Sequence, residues 1–439
     1  MIDSFENHID SKLSFLKTSK LLLAISGGID SVVLTHLCHK MGLNIALAHC
    51  NFNLRGKESD ADEDFVLQLA EDLELEVFIE NFETEAFAND EKISIQMAAR
   101  TLRYHWFLEL TEQLKFDYVL TAHHADDNLE TFFINLSRGT GLDGLLGIPE
   151  VNNNIVRPLL PYSREEIENY VKEHKLKWRE DSSNISTKYL RNKLRHDVIP
   201  ILKEMNPHFL QNFAKTQMFL NDSKFIIEDK ISIVSQKAIK SIDEYTVALK
   251  IEEIKNLSHP IAYLHELLKD FGFTEWHDVF KLLDAQSGKY VKTHTHRLIK
   301  DRDCLLLSKI HTDDSQTINI SETDKIVDTP FGVLFLDEVD TVLETHKMTI
   351  YVDKDLLKFP LIIRKWEKGD TFYPLGMTGK KKLSKYFKDE KFSLLDKENA
   401  WLLCSGDAIV WVINKRADNR FRVTENSKSI LKFEIKYDH

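Results

Sequence analysis

Residues 21–34, LLLAISGGIDSVVL, place two glycines, two hydroxyls and a carboxylate between two apolar runs. Gly27 and Gly28 let the backbone approach an anion closely and adopt angles closed to other residues. A helix that starts there offers unpaired N–H groups and the positive end of its dipole. Ser26 and Ser31 add hydroxyl donors. Asp30 disfavours a bare phosphate, so it faces a magnesium ion or caps backbone donors. The bland alternative is a plain strand-to-helix turn, and the full S-G-G-x-D-S pattern weighs against it. A Walker A loop is excluded, because it needs GxxxxGK followed by Ser or Thr. Gly288-Lys289 comes nearest, but position 283 is Leu and position 290 is Tyr.

A second constellation is TAHHADDNLET at 121–131. His123, His124, Asp126, Asp127 and Glu130 sit where a strand gives way to a helix. Asp127 and Glu130 are three apart, and Asp126 and Glu130 four apart, so each pair can share a helix face. Such carboxylates act as acids, bases or metal ligands, or cap the helix; for Asp126 the cap competes equally. The adjacent histidines suggest zinc, but no HExxH helix and no third ligand at familiar spacing accompany them. His49 and Asn51, in AHCNFNLRGKES at 48–59, end a strand. For His49 the competing reading is a histidine satisfied by backbone, and for Arg55 a surface ion pair. Cys50 reads as a small buried strand residue rather than a nucleophile.

Guanidinium groups bind phosphate and carboxylate in bidentate fashion, which makes Arg100, Arg103 and Arg195 candidate clamps. TKYLRNKLRH at 187–196 carries Lys188, Arg191 and Arg195 on one helical face, with Asn192 and Lys193 beside them. That face is either solvated or a track for RNA phosphates. KKKLSKYFKDEK at 380–391 interleaves Lys380, Lys381, Lys382 and Lys385 with Tyr386 and Phe387. Mixed basic and aromatic surfaces suit RNA, whose bases stack on rings.

These residues need elements to hold them. Apolar runs of strand length at 21–25, 44–48, 76–79 and 117–121 alternate with helical stretches at 60–73 and 95–114. This rhythm predicts an α/β domain with a parallel sheet. Pro158 and Pro161 close it, before an amphipathic stretch at 163–174. Residues 201–285 read as helical, and 290–345 as strand-like with a loop at 311–316. The last ninety residues read as β-rich with one basic helix, from alternation in AIVWVI and ILKFEIKY. Three domains follow: 1–205, a helical to mixed middle domain 206–345, and a β-rich α+β domain 346–439.

The 439 residues carry a net charge of −12, which argues against a general nucleic-acid binder. The charge is segregated, however. Residues 57–92 hold fourteen acidic and two basic side chains, while 364–424 hold fourteen basic and eight acidic. A local polyanion site in the C-terminal part remains compatible with the total. The four cysteines form no CxxC pair, which disfavours a disulfide framework. The N-terminus is polar and acidic, no run reaches the ~20 apolar residues of a membrane span, and the chain reads as cytoplasmic.

SGGIDS resembles the pyrophosphate loop of the ATP pyrophosphatase (PP-loop) superfamily, which cleaves ATP between its α and β phosphates. Four further stretches choose within it: AHCNFNLRGKES, AARTLRY at 98–104, TAHHADDNLET with LSRGTGLDGLLG at 136–147, and EDSSNISTKYLRNKLR at 180–195. In this order they resemble the tRNA(Ile)-lysidine synthase family over about residues 20–200. The segment from 364 to 424 resembles that family's C-terminal domain. Two positions depart. Phe52 replaces a frequent second histidine and takes no polar role, and Asn128 replaces a frequent glutamine and is left as a contact residue.

The resemblance implies an adenine nucleotide α-hydrolase-like fold and a ligase. ATP adenylates the wobble cytidine of a CAU-anticodon isoleucine tRNA, and the ε-amine of L-lysine then displaces AMP. It implies ATP and Mg2+ as cofactors, with Asp30 and Asp127 on the metal side. The catalytic set is Asp30, His123, Asp126, Asp127, Glu130 and Arg195. Ser26, Gly27, Gly28, Ile29, Asp30, Ser31, His49, Asn51 and Arg100 bind nucleotide. Arg55, Arg103, Arg138, Lys188, Arg191, Asn192 and the four C-terminal lysines bind RNA or lysine. No membrane partner is expected, and the oligomeric state, a homodimer included, stays open. Rival readings are a tRNA-thiolating enzyme, disfavoured by the cysteine spacing, and a small-molecule ligase, which has no use for the basic module. A non-catalytic RNA-binding protein is disfavoured by the intact SGGIDS and HHADDNLET.

Overall fold

Leu21, Leu22 and Leu23 are all fully buried, which only a strand covered on both faces achieves. Side chains alternate along a strand, so Leu22 packs with Trp106, Phe107 and Leu110, while Leu21 and Leu23 pack with Val32, Val33 and Phe5. Each such leucine contributes about 1.5–3 kcal/mol of burial. The structure, a computed structural model, describes residues 1–180, 190–243, 245–310, 317–343, 346–377 and 379–436. The chain divides into two units, Met1–Glu228 and Asp229–His439.

The first unit runs α1 (Ile2–Lys12), β1 (Leu21–Ala24), α2 (Ile29–Lys40), β2 (Ile45–Asn51), α3 (Lys57–Asp72), β3 (Val77–Asn81), α4 (Thr84–Asp90) and α5 (Ile95–Leu114). It continues through β4 (Tyr118–Leu120), α6 (Ala125–Arg138), α7 (Leu142–Leu145), β5 (Val151–Asn152), β6 (Ile155–Val156) and α8 (Arg164–His174). After the undescribed segment come α9 (Leu190–Lys193), a π-helical turn at Leu194–Val198 and α10 (Ile199–Met205). The long α11 (Phe209–Ala238) crosses into the second unit.

The sheet order is β3-β2-β1-β4-β6-β5, parallel except for the β5–β6 edge pair. The chain builds outward from β1 to β3 on one side, then returns to place β4 on the other. The order therefore reverses between β1 and β4, and loops leaving their C-terminal ends splay apart into a crevice. The expected parallel α/β domain is present, and each of the four expected strands matches one of β1 to β4 within a few residues.

The second unit begins with β7 (Ile239–Ser241), β8 (Thr246–Lys250), α12 (Ile251–Lys255), α13 (Pro260–Leu268), α14 (Trp276–Lys281), β9 (Tyr290–Lys292), β10 (His296–Asp301) and β11 (Cys304–Lys309). These strands form an antiparallel sheet of order β7-β8-β11-β10-β9. β7 and β8 correct the helical reading of 201–285. Strands of three and five residues are too short to show a period against flanking helices. The loop expected at 311–316 lies outside the described residues.

Then follow β12 (Ile318–Ile320), β13 (Ile326–Thr329), β14 (Gly332–Val339), β15 (Thr349–Asp353), β16 (Leu361–Lys365), β17 (Thr371–Phe372), β18 (Lys381–Lys382), α15 (Leu383–Asp389) and α16 (Leu394–Glu398). The last strands are β19 (Trp401–Ser405), β20 (Ala408–Val412), β21 (Arg416–Ala417) and β22 (Ile430–Lys436). β17 and β18 pair with each other, and the rest form sheets of order β12-β16-β19-β20-β21 and β13-β14-β22-β15, whose facing residues share one core. On α15, Tyr386 and Phe387 are 2% and 0% exposed and pack against Phe372, Leu402 and Ile409. They do not form the aromatic surface that the sequence suggested. The lysines around them face outward, apart from Lys381, whose Nζ lies 2.8 Å from an Asp389 carboxylate oxygen.

Candidate active site at the switch point of the parallel sheet

Three strand ends meet at one cleft of about 750 Å3. β1 delivers Ser26, Gly28, Asp30 and Ser31; β2 delivers His49 and Asn51; β4 delivers Thr121 and His123. From outside the sheet come Arg55, Arg103, Asp127, Arg191, Asn192 and Arg195. Residues more than a hundred positions apart thus converge because their strands are neighbours.

Gly27 has φ +82°, the left-handed region that favours glycine. Gly28, at φ −70°, caps α2 in ordinary extended geometry, so the freedom expected of both glycines is used only at Gly27. Ser31 Oγ donates to the Gly28 carbonyl at 2.9 Å and accepts from the Ser26 amide at 3.3 Å. The loop is folded on itself and its hydroxyls face the cleft.

Asp30 is held by Arg164, whose guanidinium nitrogen lies 2.8 and 2.9 Å from its two oxygens. His124 Nε2 stands 3.7 Å from Asp30 and 3.4 Å from Asp127. Burial pushes the Asp30 carboxyl above the usual range, while His124 and Arg164 oppose that and Asp127 adds to it. For Asp127 burial also works against ionisation, but His124, Arg191, His123 and Arg195 outweigh it and hold the carboxyl below its ordinary value. The two acids are pushed in opposite directions, a pattern common at functional sites.

Arg195 donates to Glu130 at 2.5 and 2.9 Å and to Asp127 at 3.0 Å. Burial opposes its charge, yet Glu130, Asp127 and Asp30 raise its proton affinity above the ordinary value. Arg191 Nε donates to Glu130 at 2.8 Å. Glu130 is 1% exposed and does not line the cleft; it anchors the two arginines that do. Asp126 is also turned away. One of its oxygens accepts the Arg164 amide at 2.8 Å at the start of α8, and the other pairs with Lys203. Asp126 and Glu130, both expected in the catalytic set, therefore do not line the cleft, and Asp126 accepts a backbone donor at a helix start, as its capping alternative would have it.

His123 Nδ1 meets Thr121 Oγ1 at 3.1 Å, and burial lowers the ring to about 4, so it is neutral at physiological pH. His49 Nδ1 meets the Ile25 carbonyl at 2.9 Å, which is the backbone satisfaction foreseen as the alternative. Its Nε2 is nonetheless buried with no hydrogen-bond partner among the described residues, on a ring that lines the cleft. Asn51 donates to Glu63 at 2.8 Å, and Arg55 donates to Asp62 at 2.8 Å. Arg103 stands over the Phe52 ring at 5.2 Å, and Phe52 stacks on Phe82, which fits its apolar assignment. Asn128 accepts the Ile148 amide at 2.7 Å and so ties α6 to the 147–148 turn.

Gly27, Ile29, Arg100 and Arg138 do not line the cleft, and Arg100 lies over Tyr104 instead. Lys188 lies outside the described residues. Lys380, Lys381, Lys382 and Lys385 belong to the second unit. Sequence reasoning missed Arg164, Asp62 and Arg179. Only the Ser163 capping box with Glu166 marked the start of α8, and nothing local marked its first residue as a partner of Asp30.

Comparisons with known proteins match three segments, one in the first unit and two in the second. The PP-loop domain family matches residues 1–202, the TilS substrate binding domain 242–310, and the TilS substrate C-terminal domain 361–434. A tRNA(Ile)-lysidine synthase of Parabacteroides distasonis is 40% identical over 436 residues, covering 98% of this chain and 99% of the relative. Another, of Bacteroides thetaiotaomicron, is 40% identical over 438 residues and covers 98% of both. Among solved structures, the U34-tRNA thiolase NcsA from Methanococcus maripaludis matches with TM-score 0.42 and 18% identity, over 50% of this chain and 78% of its own. A TILS C-terminal domain matches with TM-score 0.25 and 18% identity, over 28% of this chain and all of its own. With matches that run from end to end, this chain belongs to the tRNA(Ile)-lysidine synthase family.

Proposed function

We propose that the cleft adenylates the wobble cytidine of CAU-anticodon isoleucine tRNA and then couples L-lysine to it. The observation that carries this reading is the junction of the Ser26–Ser31 loop with Asp127, Arg191 and Arg195 in one cleft, within a chain of this family. A cytosine C2 is a poor electrophile, because its carbonyl carbon shares electrons with ring nitrogens. In the first step the base O2 attacks the α-phosphorus and pyrophosphate leaves. In the second the lysine ε-amine attacks C2, AMP leaves with the oxygen, and two of the three ammonium protons pass to solvent, one before the attack and one after it. The product is lysidine.

The loop amides and hydroxyls hold the pyrophosphate end of ATP. Arg191 and Arg195, oriented by Glu130, meet charge developing at the α-phosphate. Asp30 and Asp127 would hold magnesium. Among the described residues no group of three or more potential ligands is arranged for a metal. Two carboxylates suit an ion that keeps water and phosphate oxygens as its other ligands. When bound, magnesium supplies charge neutralisation at the phosphates. Lysine arrives as an ammonium, since its unperturbed pKa is about 10.4. The ionised Asp127 attracts it, and neutral His123 accepts a hydrogen bond without competing positive charge. The exposed lysines of 380–385 bind tRNA away from the anticodon, where isoleucine and methionine tRNAs sharing CAU differ.

Exchange of labelled pyrophosphate into ATP tests which molecule is activated. Exchange that requires tRNA but no lysine is expected. Exchange that requires lysine but no RNA would mean that the amino acid is adenylated, and would overturn this reading.

A further inference from the structure

Asp62, on α3, is 6% exposed and lines the cleft. Its two oxygens serve two arginines from separate segments. Oδ2 accepts from Arg55 at 2.8 Å, and Oδ1 accepts from Arg179 Nε at 2.8 Å. Arg179 in turn reaches the anion loop through its backbone, since its amide donates to the Gly27 carbonyl at 2.9 Å. The same face of the loop is closed by Phe65 of α3, which a Cβ at Gly27 would meet at 3.3 Å.

This fixes one peptide plane. In a trans peptide the carbonyl and the next amide point to opposite sides. With the Gly27 carbonyl held outward by Arg179, the Gly28 N–H faces the inner side. There its nearest partner is Ser26 Oγ at 3.3 Å, a long bond that a phosphate oxygen can replace. Gly27 is free to rotate this plane, as its φ of +82° illustrates. Left alone, the loop would spend binding free energy on selecting one orientation.

We propose that Asp62 is a positioning residue for nucleotide binding, acting through Arg179 to lock the Gly27–Gly28 peptide with its N–H turned toward the phosphates of ATP. The same carboxylate anchors Arg55 at the cleft wall and so ties the 53–62 segment to the 176–180 segment across the loop. The proposal rests on reading the loop as the pyrophosphate cradle. Both oxygens of Asp62 are taken by arginines, and Arg179 does not line the cleft.

The test is calorimetric titration of the full chain with magnesium ATP and, separately, with adenosine. Asp62→Asn and Arg179→Ala are each expected to raise the ATP Kd about tenfold, or about 1.4 kcal/mol. Adenosine, which lacks phosphates, is expected to bind all three proteins alike. Asp62→Glu restores the charge and is expected to recover part of the loss. The double variant is expected to be no worse than Asp62→Asn, because Arg179 is held through that carboxylate. Equal weakening for ATP and adenosine, or an ATP Kd within twofold of wild type in Arg179→Ala, would overturn the proposal. Arg179→Ala keeps the backbone amide, so it tests the side-chain link even where Asp62→Asn fails to fold. Wild-type protein that binds no ATP would overturn the reading of the loop itself.

Discussion

The cleft of the first unit and the basic module of the second both carry dense positive charge, yet they use it in opposite ways. In the cleft three of the four described arginines are pinned by carboxylates, Arg195 and Arg191 by Glu130 and Arg55 by Asp62, while Arg103 is exposed over the Phe52 ring. In the module, Lys380, Lys382 and Lys385 are exposed, and the aromatic residues among them are core. Pinned charge is preorganised and partly desolvated, so it acts strongly on one substrate atom. Exposed lysine charge is diffuse and screened by salt, and gives affinity without fine geometry. On the proposed reading, one region performs chemistry on a nucleotide and the other retains a large polyanion.

The contrast breaks most visibly at the cleft carboxylates. Asp127→Asn takes one carboxylate from beside Arg191 and Arg195 and, on the proposed reading, removes the anion that attracts the ammonium. Incorporation of labelled lysine is expected to fall by about 10²–10³-fold with the fold retained. A fall of less than threefold would remove Asp127 from the site.

In the module the largest effect is expected from an aromatic and not from a lysine. Phe387→Ala opens the core around Phe372, Leu402 and Ile409, and should cost about 3–5 kcal/mol in urea unfolding of that region. Were Phe387 a stacking surface, its removal would weaken RNA binding and spare stability.

A pH experiment sharpens the burial half of the comparison. Burial holds His123 at about 4, below its unfolded value near 6.5. Below 6.5 the unfolded chain takes up a proton that the folded ring refuses. Stability from this group is complete above pH 6.5 and is lost as pH falls toward 4, by at most on the order of 3 kcal/mol. His49, also lowered by burial, acts in the same direction. His123→Asn should flatten the dependence between pH 7 and pH 4.5 in denaturant titrations, and an unchanged slope would place the ring in solvent.

The smallest effect belongs to the exposed lysines. Replacing Lys380, Lys382 and Lys385 by Ala should lower the slope of log K against log salt for tRNA by about 2, with KM for ATP unchanged.

The comparison also explains what the sequence made legible. SGGIDS and HHADDNLET stood out because a loop at a strand end must be built from contiguous residues. The βαβ rhythm announced a parallel sheet but not its strand order, so their meeting in space, which depends on the reversal between β1 and β4, came only from the structure. Arg164 and Arg179 were not legible, because their partners Asp30 and Asp62 lie more than a hundred residues away. For Asp126 and Glu130 the spacing along α6 fixes a shared face but not what that face meets, so it left acid, base, ligand and cap roles undivided. Tyr386 and Phe387 were misplaced for a related reason. In a seven-residue helix rich in lysine, two adjacent aromatics carry no period that tells inside from outside. The strands β7 and β8 were lost between helices too close to leave a pattern.

The most direct measurement mixes the protein with magnesium ATP, labelled lysine and one of two transcripts, isoleucine tRNA or elongator methionine tRNA, both bearing CAU. Label in the isoleucine transcript alone, dependent on ATP and lost in Asp30→Ala, is the expected result. Folded protein that binds ATP yet labels neither transcript would contradict the lysidine reading, and equal labelling of both would contradict the role given to the basic module.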